Sequence, residues 1–162
     1  MPFEPDTFRR VMRTWTTGVA ILMARHNGDE YGMTINSFNS LSLDLPLVSV
    51  TLQNTTRIFD LVEKSHAYSI TILSASQKGL AERFAGTLHG AERMAGIQMQ
   101  TPTTGAPVLE GGLAWLDCRV VHIYPAGINT LFIAEVAEAC VHSAENPLVY
   151  HNREYHQLKP SP

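Results

Sequence analysis

Residues 18–35 read GVAILMARHNGDEYGMTI and set the architecture of the chain. An apolar run at 19–23 is followed by Asn27-Gly28, and a second extended run occupies 31–35. Asn-Gly between two extended runs is the strongest short signal for a β-hairpin, because both residues readily adopt a positive φ. We therefore predict two antiparallel strands joined by a tight turn at Asn27-Gly28.

Further strands are predicted on either side of this hairpin. Residues 47–53 and 66–73 alternate between apolar and polar side chains, a pattern typical of half-buried strands. Two longer extended runs occupy 113–124 and 130–141, and a final pair of short segments brackets Asn152-Arg153. Several hairpin-connected strands with only short helices predict a predominantly antiparallel β-barrel.

The predicted helices are short. Asp6 is a plausible N-cap for a first helix, and its apolar residues recur at helical spacing on one face: Phe8, Val11, Met12 and Trp15. Three arginines of this segment fall off that face, where they serve either as a solvated surface or as phosphate ligands: Arg9, Arg10 and Arg13. Thr55 or Thr56 is the expected cap of a second helix.

Composition limits the classes of function. The chain of 162 residues has 44% apolar and 17% charged residues and a net charge of −3, which argues against nucleic-acid binding. No run is long and apolar enough to span a membrane, and the N-terminus lacks a signal-peptide core. Cys118 and Cys140 have the sequence context of reduced, buried thiols. We expect one cytoplasmic domain over residues 1–162.

Familiar catalytic motifs are absent. The chain lacks G-x-G-x-x-G, a P-loop, H-E-x-x-H and G-x-S-x-G, which disfavours Rossmann, nucleotide-hydrolysing, zinc-protease and hydrolase chemistry. His151 and His156 are five apart in a stretch predicted to be extended, which would place them on opposite faces. We therefore expect no metal site.

The first polar cluster, residues 32–42, carries an unusual density of hydroxyl and amide groups directly after a predicted strand. Neutral donors and acceptors of this kind suit a planar heterocycle with polar edges. The same side chains also suit a polar strand end whose hydroxyls bind backbone groups. Both interpretations remain open from the residues alone.

The second polar cluster, residues 53–57, lies where a predicted strand meets a helix N-terminus. Backbone N–H groups, two hydroxyls and one guanidinium there could hold a phosphate, although a helix cap beside a solvated arginine explains the pattern equally well. Together the two clusters suggest a ligand that resembles a mononucleotide.

The order of the segments resembles the flavin reductase family with the FMN-binding split-barrel fold. The resemblance covers a core of residues 8–158, and its most specific part is Gly32-Met33-Thr34-Ile35-Asn36-Ser37-Phe38 followed by 42–44 and 46–48. Residues 80–85, 105–109 and 115–118 continue in the family's order. The chain is thereby identified as a candidate NAD(P)H:flavin oxidoreductase.

This resemblance implies a homodimeric, six-stranded antiparallel Greek-key split barrel that binds FMN or FAD and takes hydride from NADH or NADPH. It also implies transient transfer of reduced flavin to a partner monooxygenase. The residues carried over as flavin ring contacts are Thr34, Ile35, Asn36 and Ser37, with Thr17 as a weaker candidate. Those carried over for the ribityl and phosphate groups are Gln53, Asn54, Thr55, Thr56 and Arg57, with Arg83 and Phe84 near the phosphate or adenosine.

One position departs from the family pattern. Asn129 stands where relatives commonly have a histidine associated with the nicotinamide, and an amide cannot become cationic. His151 or Arg153 would have to compensate on the nicotinamide side. The missing histidine keeps one alternative open, a flavin-binding dimer without nicotinamide turnover. A second alternative is a flavoprotein that keeps its flavin and reduces ferric iron or a cobalt corrinoid.

Overall fold

The computed structural model describes residues 3–87 and 91–159. Its helices are α1 Pro5–Arg13, α2 Arg57–Ser65, α3 Lys78–Glu82 and α4 Ala91–Met94, with shorter helical turns at Ala75–Gln77 and Arg83–Thr87. Its strands are β1 Thr17–Gly18, β2 Ala20–His26, β3 Asp29–Ile35, β4 Asn39–Ser42, β5 Leu47–Gln53, β6 Ala67–Ile72, β7 Met99–Gln100, β8 Val108–Leu109, β9 Ala114–Ala126, β10 Asn129–Val141, β11 Leu148–His151 and β12 Glu154–Gln157. None of the helices it describes is long and apolar enough to cross a membrane.

The main sheet contains seven antiparallel strands in the order β3-β2-β6-β9-β10-β5-β4. The predicted hairpin is confirmed: His26 pairs with Asp29 across a two-residue turn in which Asn27 and Gly28 have φ of 51° and 82°. The prediction of a mainly β, antiparallel fold is also confirmed. The described pairings leave β3 and β4 at the ends of the sheet, so they do not close it into the expected six-stranded barrel.

Both faces of the sheet are covered by side chains. Along β2, Ala20, Leu22 and Ala24 belong to one core cluster, while Ile21 and Met23 belong to a second. Because successive strand residues point to opposite faces, a continuous apolar run is what a strand between two cores requires. This explains why the stretch that follows Gly18 is uniformly apolar.

The same arrangement corrects the prediction that residues 66–73 form a half-buried strand. In β6, the apolar Tyr68 and Ile70 are fully buried, but Ser69 and Thr71 on the opposite face are buried as well. Ser69 compensates for its burial by donating a hydrogen bond to the carbonyl of Pro107. A polar residue in an alternating pattern thus points here to a second packed layer and not to solvent.

Helix caps agree in part with expectation. Thr56 is confirmed as the N-cap of α2, since its Oγ1 accepts a hydrogen bond from the Phe59 N–H at 3.4 Å. Asp6 was the wrong N-cap for α1, because Glu4 occupies that position and Pro5 starts the helix. Pro is favoured at the first helical position, where its missing N–H costs no hydrogen bond.

No described residue of the chain buries the apolar face of α1. The helix has no buried residue, and its apolar side chains remain widely exposed: Phe8 53%, Val11 57% and Met12 48%, followed by Trp15 at 69%. Amphipathic helices of globular proteins normally bury this stripe. The predicted stripe is therefore present on α1 for Phe8, Val11 and Met12, whereas Trp15 lies beyond the end of the helix, and the described part of the chain does not cover this stripe.

Candidate functional site

A cavity of about 1040 Å³ lies between the end of α1, the first strand β1, the segment after β3 and the β11–β12 hairpin. Its floor is apolar and includes Val19, Ala20 and Ile35, while Asn36 and Ser37 contribute polar atoms. The remaining lining residues are Arg9, Met12, Arg13, Trp15, Thr16, Thr17, Gly18, Phe38, Asn39, Thr51, Ile72, Tyr150, Asn152 and Arg153.

The polar groups in this cavity differ in whether they already form hydrogen bonds within the protein. Ser37 Oγ donates to the Thr51 carbonyl at 3.0 Å and accepts from the Thr51 N–H at 3.3 Å, so it ties the segment after β3 to β5. The Asn36 side chain is exposed and has no hydrogen bond to the described part of the chain. The amide of Asn36 is therefore available to a ligand, whereas the hydroxyl of Ser37 serves the fold first.

Thr17 presents the clearest unmet polar group beside the cavity. Its Oγ1 is buried and has no hydrogen-bond partner among residues 3–87 and 91–159. Leaving such a group unsatisfied costs about 1–3 kcal/mol, which a ligand or a water molecule can relieve. Thr17, the weaker of the sequence-derived ring contacts, thus lines the cavity, and Tyr68 and Thr71 also carry buried hydroxyls without a partner among the described residues.

Thr34 faces away from the main cavity. Its Oγ1 donates to the Ala81 carbonyl at 2.6 Å and so fastens β3 to α3. The residue lines a smaller cavity of about 250 Å³ that shares Val19, Ile35 and Asn36 with the larger one. The structure thus brings Ile35, Asn36 and Ser37 together and turns Thr34 toward the second core.

The second polar cluster does not line the main cavity, and its side chains largely bind one another. Thr56 Oγ1 donates to the Gln53 carbonyl at 2.7 Å in addition to capping α2. Asn54 Oδ1 accepts from Thr130 Oγ1 at 2.8 Å, and its N–H donates to the Ile128 carbonyl at 3.0 Å. These bonds fix the passage from β5 to α2.

The cation of the second polar cluster is also engaged. Arg57 forms an ion pair with Asp29, and its guanidinium lies 5.2 Å from the ring centroid of Tyr31. Gln53 and Thr55 remain exposed, with no side-chain hydrogen bond to a described residue. A role of this cluster in phosphate binding stays a prediction, with the side chains of Gln53 and Thr55 as its free groups among the described residues, because the N–H groups of Asn54 and Thr56 already donate to carbonyls.

The chain resembles known proteins over nearly its whole length. A family model described as "Flavin reductase like domain" matches residues 12–159. The chain belongs to this family. An NADH-dependent flavin reductase of a Rhodococcus species is 32% identical over 158 residues, which cover 96% of this chain and 87% of that relative. The reductase component of 4-nitrophenol 4-monooxygenase/4-nitrocatechol 2-monooxygenase from Rhodococcus opacus is 34% identical over 159 residues, with coverages of 98% and 84%.

A solved structure agrees with this membership. NADH:FAD oxidoreductase SgcE6 of Streptomyces globisporus C-1027 superposes with a TM-score of 0.90 at 26% identity, covering 99% of this chain and 96% of SgcE6. A second structure of SgcE6 is in complex with NAD and FAD fragments. The resemblance stated from sequence motifs is thereby confirmed.

In this flavin reductase-like chain, Asn129 lies beside the second polar cluster. It begins β10, where it pairs with Gln53 of β5 and with Ala126 of β9. It does not line the main cavity. The residue that departs from the family pattern is therefore grouped with Gln53 and Asn54, and its association with a nicotinamide stays a prediction.

Two other predicted residues are placed by packing. Phe84 is fully buried in the second core cluster, where two of its ring carbons lie 2.6 and 2.8 Å from where a Cβ on Gly32 would stand. The Arg83 guanidinium donates to the carbonyls of Glu92 and Arg93, both at 2.8 Å. The structure does not bring either residue to the main cavity, and it gives both a role in holding α4 and its neighbours.

The β11–β12 hairpin corrects the expectation for its histidines. The chain turns at Asn152-Arg153, so His151 and His156 lie on adjacent strands with ring centroids 6.1 Å apart, not on opposite faces. His151 Nδ1 is also 2.9 Å from Thr16 Oγ1, a cavity residue. Among the residues described, no group of three or more His, Cys, Asp and Glu is arranged as metal ligands.

Several cavity residues were not among the predicted site residues. Trp15 and Met12 were assigned to a helix stripe, and Thr51 was assigned to the polar face of β5. Phe38 and Asn39 lie just after the first polar cluster's central motif, and Tyr150 comes from a distant hairpin. Only the strand pairing of Thr17 with Tyr150 could have indicated that β11 lies against the start of the chain.

Burial favours the neutral form of two ionisable groups, the thiol of Cys118 and the hydroxyl of Tyr155. Burial, with a smaller contribution from Asp117, raises the pKa of the Cys118 thiol to about 12. Burial also raises the pKa of Tyr155, which lines the smaller cavity, and Tyr150 and Glu82 add to the shift. A thiol with so high a pKa is a poor nucleophile, which agrees with the interpretation of Cys118 as a buried apolar residue. The same expectation is wrong for Cys140, which is only half-buried.

Proposed function

We propose that this protein oxidises a reduced nicotinamide nucleotide, reduces free FMN or FAD, and supplies the reduced flavin to a partner monooxygenase. The observation that carries the proposal is the main cavity, which combines an apolar floor with a free amide and an unsatisfied hydroxyl. Its size reaches the upper end of the range of about 300–1,000 Å³ for cofactor sites. Family membership supports the same activity, since relatives carry names of NADH-dependent flavin reductases and monooxygenase reductase components.

The residues present fit a flavin. The apolar side chains of Val19, Ala20 and Ile35 in the cavity lining suit the apolar face of a ring, and the Asn36 amide can both donate and accept hydrogen bonds at its edge. Thr17 Oγ1 supplies a further hydroxyl that lacks a partner among the described residues. These side chains would bind and orient the ring and exclude water from one of its faces.

A bound flavin supplies the hydride acceptor and the nicotinamide supplies the hydride, so the reaction needs no protein nucleophile. The protein contributes orientation and proximity, which are worth several kcal/mol of activation free energy when two reactants are held in line. We accordingly propose no catalytic acid or base for this chain. The groups that matter are those that set the relative position of two rings.

The test is steady-state oxidation of NADH and NADPH with purified protein, with and without added FMN, FAD or riboflavin. We expect turnover only when free flavin is added, and saturation with flavin in the micromolar range typical of enzyme substrates. A yellow protein that oxidises NADH only with another electron acceptor would replace this proposal with that of a resident flavoprotein. A protein that binds flavin but never oxidises either nucleotide would refute the reductase activity.

We further propose that the active form is a homodimer in which a second copy covers α1. Support comes from the exposed stripe of Phe8, Val11 and Met12, because contiguous exposed apolar surface commonly marks an interface. Met12 and Trp15 also line the cavity, so the partner that covers α1 would shield the cavity from water. Phe8 does not line the cavity, which makes it the cleaner position for substitution.

Size-exclusion chromatography with light scattering, which measures the molar mass in solution, tests whether the protein is a dimer. Phe8→Glu places a charge in the proposed interface, and we expect it to shift the mass from dimer toward monomer. Arg10→Glu, on the same helix but off the apolar stripe, is the matched control and should remain dimeric. A monomeric wild-type protein, or a Phe8→Glu variant that is as dimeric as the control, would contradict the proposed interface.

A further inference from the structure

The protein contains two two-residue hairpin turns of the same shape but of different chemistry. In the β2–β3 turn, Asn27 and Gly28 have φ of 51° and 82°. In the β11–β12 turn, Asn152 and Arg153 have φ of 48° and 67°, and His151 pairs with Glu154 across them. The second position of such a turn strongly favours glycine, because a side chain is strained at positive φ. Arg153 therefore occupies a position at which its own backbone conformation is unfavourable.

Strain of this kind is commonly retained at functional sites. The two turns differ in what they face: Asn152 and Arg153 line the main cavity, whereas neither Asn27 nor Gly28 does. The Asn152 N–H donates to the Arg13 carbonyl at 3.0 Å, which fastens the turn to the last residue of α1. This hydrogen bond holds Arg13 close to Arg153 in the fold, and we call these two cavity-lining residues the arginine rim.

The charge at this rim is one-sided. Among the described residues that line the cavity, three are arginines and none is acidic, although the whole chain carries a net charge of −3. Arg9 is paired with Asp6 at 2.7 Å, one helical turn before Arg13. The side chains of Arg13 and Arg153 have no hydrogen bond or ion pair within the described part of the chain. Two guanidinium groups that line one cavity and have no partner among the described residues form a site for an anion with several oxygens.

We propose that Arg13 and Arg153 bind a phosphate group of a nucleotide whose ring occupies the main cavity. The proposal rests on the function proposed above and specifies how the cavity selects its ligands. The second polar cluster lies off this cavity and remains the predicted site of the flavin phosphate. The arginine rim is therefore assigned first to the nicotinamide nucleotide, either to its pyrophosphate or to the 2′-phosphate of NADPH.

Calorimetric titration of the intact protein tests the assignment with NAD⁺, NADP⁺, FMN and riboflavin as probes. The variants are Arg13→Ser and Arg153→Gly, and Arg10→Ser on the same helix is the matched control, since Arg10 does not line the cavity. We expect each rim variant to raise the Kd of the nicotinamide nucleotides about tenfold, as the loss of one charge-assisted hydrogen bond predicts. Riboflavin, which has no phosphate, should bind the rim variants and the control equally.

Arg153→Gly should also change the melting temperature, and in the direction opposite to the change expected if Arg153 only supported the fold. Glycine relieves the strain at φ 67°, so we expect the melting temperature to rise by about 2–4 °C while nucleotide affinity falls. In turnover assays the KM for the nicotinamide nucleotide should rise while kcat stays within about twofold, because uniform binding is lost. A melting temperature that falls together with every affinity would show that Arg153 only supports the fold and would overturn the proposal.

The probes identify which phosphate is bound. A larger loss for NADP⁺ than for NAD⁺ assigns the rim to the 2′-phosphate, and equal losses assign it to the pyrophosphate. A loss for FMN alone, with riboflavin unaffected, supports the phosphate site but assigns it to the flavin. Unchanged Kd values for all four probes overturn the proposal. Since these constants are measured without turnover, they decide on the rim even if the protein fails to oxidise NADH.

Discussion

The two polar clusters look alike in sequence but differ in what their side chains do. Residues 32–42 pass along a cavity, and Asn36 at their centre has no partner among the described residues. Residues 53–57 turn from β5 into α2, where Thr56 caps the helix and Arg57 pairs with Asp29. Hydroxyl, amide and guanidinium groups are equally suited to binding a ligand and to satisfying the backbone. A side chain of either cluster is structural when folding places a donor or acceptor of the protein within hydrogen-bond distance of it, and it is available to a ligand when folding does not.

This difference also divides the first cluster internally. Thr34 and Ser37 have their hydroxyls bonded to the carbonyls of Ala81 and Thr51, so both side chains connect elements of the fold. Asn36 lies between them, and its amide has no hydrogen bond to the described residues. A polar cluster next to a cavity is therefore neither wholly a binding site nor wholly structural, and substitutions should separate the two roles.

The largest effect on stability is expected for Thr34→Val, which removes the hydroxyl that donates to the Ala81 carbonyl. Such a loss costs about 1–3 kcal/mol, or roughly 2–4 °C of melting temperature for each kcal/mol in a chain of this size. Flavin affinity per folded molecule should stay within about twofold. Thermal melting and flavin titration check both expectations, and an unchanged melting temperature with lost affinity would instead make Thr34 a ring contact.

Asn36→Ala should show the opposite pattern. Its amide makes no hydrogen bond to the described residues, so the melting temperature should change by less than about 2 °C. Loss of one hydrogen bond to the flavin predicts a rise in flavin KM of about five- to tenfold. Asn39→Ala, a neighbouring amide that lines the same cavity, is the matched control for a general change in polarity. Wild-type flavin affinity in Asn36→Ala would remove Asn36 from the ring pocket.

Thr56→Ala tests whether the second cluster is chiefly a helix cap. Replacing a threonine N-cap by alanine costs about 1 kcal/mol, and Thr56→Ser, which retains the hydroxyl, should restore most of the stability. If the cap is its only role, the KM for FMN and for riboflavin will be unchanged in both variants. A rise in the KM for FMN with Thr56→Ala alone would show that the hydroxyl also contacts the flavin.

The smallest effect is expected for the Arg57–Asp29 pair. Both side chains are about half exposed, and exposed ion pairs contribute about 0–1 kcal/mol. Arg57→Gln and Asp29→Asn should therefore lower the melting temperature slightly and by similar amounts. A different result would assign Arg57 to the flavin phosphate: Arg57→Gln raises the KM for FMN but not the KM for riboflavin, and Asp29→Asn changes neither KM. The two clusters would then bind one ligand.

Much of the fold could be predicted because it depends on local patterns. The hairpin at Asn27-Gly28 follows from residues that tolerate positive φ, and β5 has the predicted bounds 47–53. The family was also recognisable from the order of its motifs. In contrast, the burial of Ser69 and Thr71 depends on a layer contributed by distant residues, and a period of two cannot reveal that layer.

The candidate site was only half accessible to sequence reasoning. Ile35, Asn36 and Ser37 are contiguous in the chain, so one motif located them together. Trp15 and Tyr150 come from opposite ends of the chain, and only the pairing of β1 with β11 brings them to one cavity. Contacts between such distant segments are set by the whole topology, which no local window contains.

The sequence by itself determined six of the seven strands of the main sheet, the tight turn at Asn27-Gly28 and membership in the flavin reductase-like family, because each depends on neighbouring residues or on their order. Only the tertiary structure decided which polar groups stay free. Thr34 and Asn36 lie two residues apart, and one of them meets the Ala81 carbonyl while the other faces a cavity. Whether a polar side chain is a ligand group or a structural one depends on the atoms that folding places within hydrogen-bond distance.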